Sequence, residues 1–210
     1  MGVAAGLAWT EVGGEVLFVE AVALPGSGKL ILTGKLGEVM RESGQAALSY
    51  ARRRAGALGL PPDFCEHVDI HVHIPEGAVP KDGPSAGVTM AVALISALSQ
   101  VGVRRDVALT GEITLNGDIL MVGGLNEKVV AARRAGFRTV VLPQENEKDL
   151  PELPRMLKRG LELRLVRNMD EALRAALVVE LPRSEAAAGA PGEMASRSTA
   201  VKGSCPDLAH

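Results

Sequence analysis

Residues 80–98 read PKDGPSAGVTMAVALISAL and form the most informative stretch of the chain. The first eight positions contain two prolines and two glycines, which favour a loop, and the positions that follow are predominantly apolar. Pro84 suits the first position of a helix, because its ring fixes a helical φ and its missing N–H would have had no partner there. The sequence therefore predicts a loop that delivers Ser85 into the first turn of an apolar helix ending near Ser99.

The segment before this loop alternates strictly between apolar and polar side chains. Val68, Ile70, Val72 and Ile74 fall on one face and the intervening polar residues on the other, which predicts a strand over 67–74. The same reasoning predicts strands at 4–9, 15–23, 30–33, 106–110, 139–142 and 161–166, with hairpin turns at 12–14 and 116–118. Helices are expected from position 36 to 56 or 59, at 125–135, at 146–159 with breaks at two prolines, and at 170–177. This mixture predicts a two-layer α/β or α+β domain.

Composition divides the chain into two parts. Hydrophobic residues make up 47% of the 210 positions but aromatic residues only 2%, so the core must be built from Ala, Val, Leu and Ile. We expect one domain over 1–179. Residues 180–210 are rich in Ala, Gly, Pro and Ser and have few large apolar side chains, so a disordered tail is predicted there.

Charge and targeting signals exclude several classes of protein. The formal net charge of -2 gives no basic field for nucleic acid, and the longest apolar stretch is shorter than the roughly 20 residues of a membrane span. Cys65 and Cys205 are too few for a disulfide framework or a four-ligand zinc site. The start of the chain has no secretory signal, so a cytoplasmic location is expected.

The position of Ser85 suits a nucleophile. Unpaired N–H groups and the positive end of the helix dipole gather at a helix N-terminus, where an acyl-transfer site holds its developing oxyanion. The alternative is a serine that only caps the helix.

A base for Ser85 is not readily supplied by histidine, because His67, His71 and His73 share one strand and His210 lies in the tail. Lys128 is expected in the first turn or so of the helix at 125–135. The helix dipole and apolar neighbours there would lower its pKa, as a general base requires. The alternative is an ordinary surface lysine.

Two weaker patterns carry no site. His71 and His73 share a strand face, but the sequence places no third or fourth ligand beside them for a metal. Residues 26–29 read GSGK and lack the first glycine and the Ser/Thr of a phosphate loop. Neither a metal nor a nucleotide site is expected in this chain.

Three motifs follow one another along the chain: PKDGPSAG at 80–87, LTGEIT at 109–114 and GGLNEK at 123–128, supported by GLAWT at 6–10 and LGEVM at 36–40. Together they resemble the proteolytic domain of bacterial A-type Lon proteases. The resemblance covers most of residues 3–178. It implies the Lon proteolytic-domain fold, which is related to the second domain of ribosomal protein S5.

The resemblance also implies roles for individual residues. Ser85 aligns with the nucleophile and Lys128 with the general base of a Ser–Lys dyad, and Thr110 matches a threonine that can orient the lysine. The loop residues Gly83, Pro84 and Ala86 surround the nucleophile, and backbone N–H groups there would form part of the oxyanion hole. Asp82 raises the hypothesis of an inactive state in which its carboxylate pairs with Lys128; the alternative is simple solvation of the loop.

The implied activity is that of a serine endopeptidase acting on unfolded or flexible polypeptides. The implied assembly is a homohexameric ring, with an ATPase module on the same chain in the full-length protein. No cofactor is expected in this domain, because ATP and Mg²⁺ would belong to that module. The alternative function is a non-catalytic, ring-forming scaffold domain of the same fold.

Overall fold

The computed structural model describes residues 1–10, 13–61, 63–75 and 82–179. Within these ranges the strands are β1 (Val3–Thr10), β2 (Gly13–Pro25), β3 (Leu30–Thr33), β4 (Val68–His73), β5 (Val107–Leu109), β6 (Glu112–Ile113), β7 (Ile119–Leu120), β8 (Thr139–Pro143) and β9 (Glu162–Val166). The α-helices are α1 (Glu38–Arg53), α2 (Phe64–His67), α3 (Gly87–Ser99), α4 (Leu125–Arg134), α5 (Arg155–Lys158) and α6 (Met169–Ala176), and 3₁₀ segments lie at Gly56–Leu58, Pro84–Ala86 and Gln144–Glu152. The tail predicted at 180–210 lies outside the described residues.

One mixed sheet organises the domain, with strand order β3-β4-β2-β1-β5-β8-β9. β1 lies near its centre and pairs antiparallel with β2 and parallel with β5. The pairs β5–β8, β8–β9 and β3–β4 are also parallel, and β2–β4 is antiparallel. β6 and β7 form a separate two-stranded sheet. The parallel half of the main sheet carries the crossovers that lead to the candidate site.

Helices cover the sheet on both faces. The larger core joins α1, α3 and α6 to one face, and the smaller core joins α4 to the other. β5 shows the alternation directly, because Val107 and Leu109 enter the larger core and Ala108 the smaller one. The predicted mixed α/β class is confirmed. The structure has a third layer, α4, in addition to the two layers predicted. Leu125 and Val129 of α4 form an apolar stripe that is buried against the second face of the sheet.

The strand predicted at 67–74 is present as β4, with Ile70 and Val72 buried. The helix predicted at 146–159 is instead a 3₁₀ segment followed by the single turn of α5. Pro151 and Pro154 explain the difference, since a proline inside a helix removes a backbone donor and clashes with the preceding turn. In the described part of the chain, no helix combines the length and apolar character needed to cross a bilayer.

Candidate active site

Ser85 lies in the 3₁₀ turn that precedes α3, and its backbone is held against the chain that follows β5. The Gly111 N–H donates to the carbonyl oxygen of Ser85 at 3.0 Å, and the Val88 N–H donates to the carbonyl of Gly111 at 3.1 Å. Because β5 is a buried strand near the middle of the sheet, these two bonds fix Ser85 relative to the core.

The hydroxyl and the N–H group of Ser85, unlike its carbonyl, are not held by these bonds. At the start of a 3₁₀ turn, where bonds run from residue i+3 to residue i, the N–H group of Ser85 has no acceptor within the turn. Ser85 is half-buried, and within the described ranges its hydroxyl has no hydrogen-bond partner. The hydroxyl is therefore not engaged in capping the helix, which was the alternative role for this residue.

Thr110 follows β5 and is fully buried. Its N–H donates to the carbonyl of Val141 on β8 at 3.0 Å, and its hydroxyl donates to the carbonyl of Leu7 on β1 at 3.4 Å. Since Gly111 is the next residue along the chain, Thr110 lies directly beside the backbone contact of Ser85.

Lys128 lies in the first turn of α4, as predicted, and its side chain is only 2% exposed. Among the described residues none forms a hydrogen bond or ion pair with the ammonium group. Burial lowers the pKa of Lys128 from 10.5 to about 8, because the charged form loses its hydration. The predicted direction of the pKa shift is confirmed, and the interpretation of Lys128 as an ordinary surface lysine is wrong.

Close backbone packing explains how a lysine becomes buried at a helix start. A Cβ atom at Gly14 would lie 1.9 Å from the carbonyl oxygen of Glu127, so only glycine lets β2 approach the first turn of α4. On the other side of that turn, the Trp9 side chain lies against Gly124, where an added Cβ would lie 2.6 Å from Trp9 Cγ. The hairpin formed by β1 and β2 thus closes over the backbone next to Lys128.

A continuous set of contacts links the predicted nucleophile to the helix that carries the predicted base. Ser85 is bonded to Gly111, and the neighbouring Thr110 is bonded to Leu7. Leu7 in turn belongs to the same buried cluster as Leu125 and Val129, which flank Lys128 on α4. The structure therefore brings the elements of Ser85, Thr110 and Lys128 together at one end of β1 and β5.

Asp82 points elsewhere. Its Oδ1 atom accepts a hydrogen bond from the Met40 N–H at the start of α1, at 3.0 Å, and another from the Gly83 N–H, also at 3.0 Å. No ion pair joins Asp82 to Lys128, both of which are described residues. The carboxylate is therefore engaged with α1 in this conformation, and Gly83 and Pro84 connect it to Ser85.

A cleft of about 400 Å³ opens at the same end of α4, between its first turn and the 3₁₀ segment Gln144–Glu152. Its wall includes Gly123, Leu125 and Leu153 together with the acidic Asp149 and Glu152. Neither Ser85 nor Lys128 is among the residues that line this cleft.

Sequence reasoning missed Asn146, which shapes this cleft. Asn146 is fully buried; its Oδ1 accepts from the Val122 N–H at 3.1 Å and its Nδ2 donates to the Val122 carbonyl at 2.9 Å. This pair of bonds fixes the chain just before α4. A lone asparagine in a polar segment carries no sequence signal for such a role. The sequence predicts Gly14 only as part of a turn, because a Gly-Gly pair is itself a common hairpin signal.

The two histidines on β4 are bound to one hydroxyl. His71 Nε2 and His73 Nδ1 lie 2.8 Å and 2.7 Å from Thr33 Oγ1 on β3. Across the described ranges, no group of three or more His, Cys, Asp or Glu side chains is arranged to hold a metal ion.

Comparison with known proteins gives the family. Residues 1–179 match the family model described as the Lon protease (S16) C-terminal proteolytic domain. The chain is 56% identical over 179 residues to Lon protease 1 of Syntrophobacter fumaroxidans, which covers 85% of this chain and 22% of that protein. It is 60% identical over 173 residues to Lon protease of Roseiflexus castenholzii, covering 82% and 22%. It is 57% identical over 180 residues to Lon protease 1 of Bacillus subtilis, covering 86% and 23%.

The chain spans less than a quarter of the length of these relatives, which are each covered to 22% or 23%. All three are named as proteases, which supports a proteolytic role and gives no support to a scaffold domain. The match of the family model over residues 1–179 leads to the same conclusion. The chain belongs to the Lon protease (S16) C-terminal proteolytic domain family.

Proposed function

We propose that this domain hydrolyses peptide bonds with Ser85 as the nucleophile and Lys128 as the general base. The observation that carries the proposal is the burial of Lys128, which is 2% exposed and has a pKa of about 8. At pH 7 about a tenth of such lysines are neutral, compared with about three in ten thousand at an unperturbed pKa. Burial therefore supplies the proton acceptor that the histidines of this chain do not.

The reaction follows from these groups. Neutral Lys128 removes the Ser85 hydroxyl proton while the oxygen attacks the peptide carbonyl carbon. Backbone N–H groups around Ser85, its own included, donate to the developing oxyanion. The lysine ammonium then protonates the leaving amine, the C–N bond breaks, and an acyl ester remains on Ser85. Neutral Lys128 next takes a proton from water, the resulting hydroxide attacks the ester, and the carboxylate product leaves as Ser85 regains its proton.

We propose a supporting role for Thr110, the residue that follows β5. Its hydroxyl is directed at Leu7, on the strand that packs beneath α4. We propose that Thr110 keeps the first turn of α4 in place, so that Lys128 stays oriented toward Ser85.

The substrates we propose are unfolded or flexible polypeptides, because a scissile bond must be extended to reach a half-buried serine. For the full-length protein we propose a homohexameric ring and an ATPase module on the same chain, with ATP and Mg²⁺ bound by that module. The short share of each relative that this chain covers supports a larger protein of that kind. A cytoplasmic location is proposed on the free thiol of Cys65, which suits a reducing compartment.

The test is cleavage of an unstructured fluorogenic peptide by the native domain, Ser85→Ala and Lys128→Ala, without ATP. We expect both variants to lose activity by a factor of at least about 10³. A fluorophosphonate probe that labels active serines should label the native domain and not Ser85→Ala.

Matched controls come from the same residue types at exposed positions. Ser49→Ala and Lys29→Ala remove a surface serine and a surface lysine and should keep native cleavage rates. Full activity in Ser85→Ala would refute the assignment of the nucleophile. Full activity in Lys128→Ala would refute the assignment of the base.

A further inference from the structure

The loop that carries Ser85 is attached to the start of α1 by a single carboxylate. Asp82 Oδ1 accepts hydrogen bonds from the N–H groups of both Met40 and Gly83, each at 3.0 Å. Met40 is the third residue of α1, where an N-cap side chain normally accepts a hydrogen bond. The residue at the N-cap position is Gly37, which has no side chain to do this. Asp82 therefore caps α1 from a loop that is distant in sequence.

Gly37 is shaped to receive this carboxylate. A Cβ atom at Gly37 would lie 2.3 Å from Asp82 Cγ and 2.4 Å from Oδ2. Any other side chain at position 37 would therefore expel Asp82 from the helix start. The glycine and the carboxylate form one matched pair.

The same loop is held at a second point beyond the nucleophile. The carbonyl of Ser85 accepts from Gly111, and Val88 donates back to Gly111. Asp82 lies three residues before Ser85, so the short span from 82 to 88 is tied to α1 at one end and to the end of β5 at the other. Gly83, between the two ties, has φ +142 and ψ 150 and gives the chain no rigidity of its own.

We propose that Asp82 is a positioning residue, which sets the position of Ser85 by anchoring its loop to the Gly37–Met40 start of α1. This inference rests on the proposed function, because it takes Ser85 to be the nucleophile. In this role the Asp82 carboxylate raises the rate of the reaction by holding the loop in place. The inference also predicts the opposite sign from a pairing of Asp82 with Lys128, in which removing the carboxylate would release the base and raise activity.

The experiment measures the rate at which a small uncharged fluorophosphonate labels Ser85, together with kcat and KM for a fluorogenic peptide. Asp82→Ala and Gly37→Ala should each lower the labelling rate and kcat by about 10- to 100-fold, since displacement of a reacting group by about 1 Å has that effect. KM and the pH midpoint of kcat should stay close to native, because Lys128 is untouched. Asp82→Asn keeps an acceptor oxygen and should lose less activity than Asp82→Ala.

The combined Gly37→Ala/Asp82→Ala variant separates the proposed pair from two independent effects. If the residues act through one contact, its loss should be no larger than that of the more impaired single variant. Losses that multiply would overturn the inference.

Asn168→Ala is the matched control for helix capping. Asn168 caps α6 by accepting a hydrogen bond from the Glu171 N–H at 3.0 Å, and it takes no part in the Ser85 loop. At equal folded fraction, checked by circular dichroism, Asn168→Ala should label at the native rate. Equal losses in Asn168→Ala and Asp82→Ala, or native or higher rates in Asp82→Ala or Gly37→Ala, would overturn the inference. Ser85→Ala distinguishes a failure of the proposed function from a failure of this inference, because labelling that survives in Ser85→Ala refutes Ser85 as the nucleophile.

Discussion

The Gly111 N–H donates to the carbonyl oxygen of Ser85 at 3.0 Å, so the proposed nucleophile is bonded to the segment that leaves β5. β5 pairs with β1 and β8 and is buried along its whole length. The position of Ser85 is therefore set by a buried, doubly paired part of the sheet, and changes at Gly111 should be transmitted to it.

We expect Gly111→Ala to impair cleavage. An added Cβ would lie 2.7 Å from Ile119 Cγ2 and 2.8 Å from Val88 Cγ2, so these side chains must shift directly beside the Ser85 contact. We predict a loss of kcat of at least about tenfold and a loss of stability of about 1–3 kcal/mol. Peptide cleavage and thermal unfolding measure the two effects. Gly56→Ala is the control, since a Cβ there meets no atom within 4 Å and should change neither quantity.

The pH dependence of kcat should follow Lys128. Only the neutral amine can accept the proton of Ser85, and burial places its pKa at about 8. Activity should therefore rise with pH through a midpoint near 8 and fall by about tenfold for each unit below it. Peptide cleavage between about pH 6 and pH 10 measures this, with circular dichroism to verify the fold. A flat profile across that range would contradict the proposed base.

Lys128→Met should abolish cleavage and yet stabilise the domain. The pKa of Lys128 is lower in the folded protein, about 8, than its ordinary value of 10.5, so the unfolded chain binds more protons between these values. Burial of the ammonium therefore destabilises the native protein, fully below pH 8, and this cost disappears as pH rises to 10.5. Methionine carries no charge and removes this cost, so we expect Lys128→Met to raise the free energy of unfolding by about 3 kcal/mol near pH 7. Chemical denaturation should show a large difference in the free energy of unfolding between Lys128→Met and the native domain at pH 7. At high pH the difference should be small. Equal stabilities at pH 7 would be inconsistent with a buried ammonium.

Thr110→Val tests the support of α4. The substitution keeps the shape of the side chain but removes the hydroxyl that donates to the Leu7 carbonyl at 3.4 Å. We predict a loss of stability of about 1 kcal/mol and a clear decrease in kcat. Thr110→Ser retains the hydroxyl and should retain most of the activity. Native kcat in Thr110→Val would show that this hydroxyl has no part in orienting Lys128.

Patterns local in sequence predicted much of this structure. The alternation at 67–74 gave β4, because a strand with one buried face has a period of two residues. The direction of the Lys128 pKa shift was also predictable, since its place in a helix with apolar neighbours is a local property.

Contacts between distant segments were not predictable in this way. The bond from Met40 to Asp82 joins residues 42 positions apart, and neither has a pattern that indicates the other. The Asp82 carboxylate was expected near Lys128 or in solvent, and only the packing of α1 against the loop reveals its partner. The closure of α4 over Gly14 likewise depends on backbone spacing, which side-chain periodicity does not record.

The burial of Lys128 also ties the proposed activity to the folded state. Ser85 and Lys128 come from segments on opposite sides of β5 in the chain, and the amine becomes a usable base only when α4 has packed on the sheet. A nascent or partly unfolded copy carries an ordinary protonated lysine and a serine of ordinary reactivity. With the proposed roles of Ser85 and Lys128, such a copy cannot cleave the neighbouring unfolded chains among which it is made.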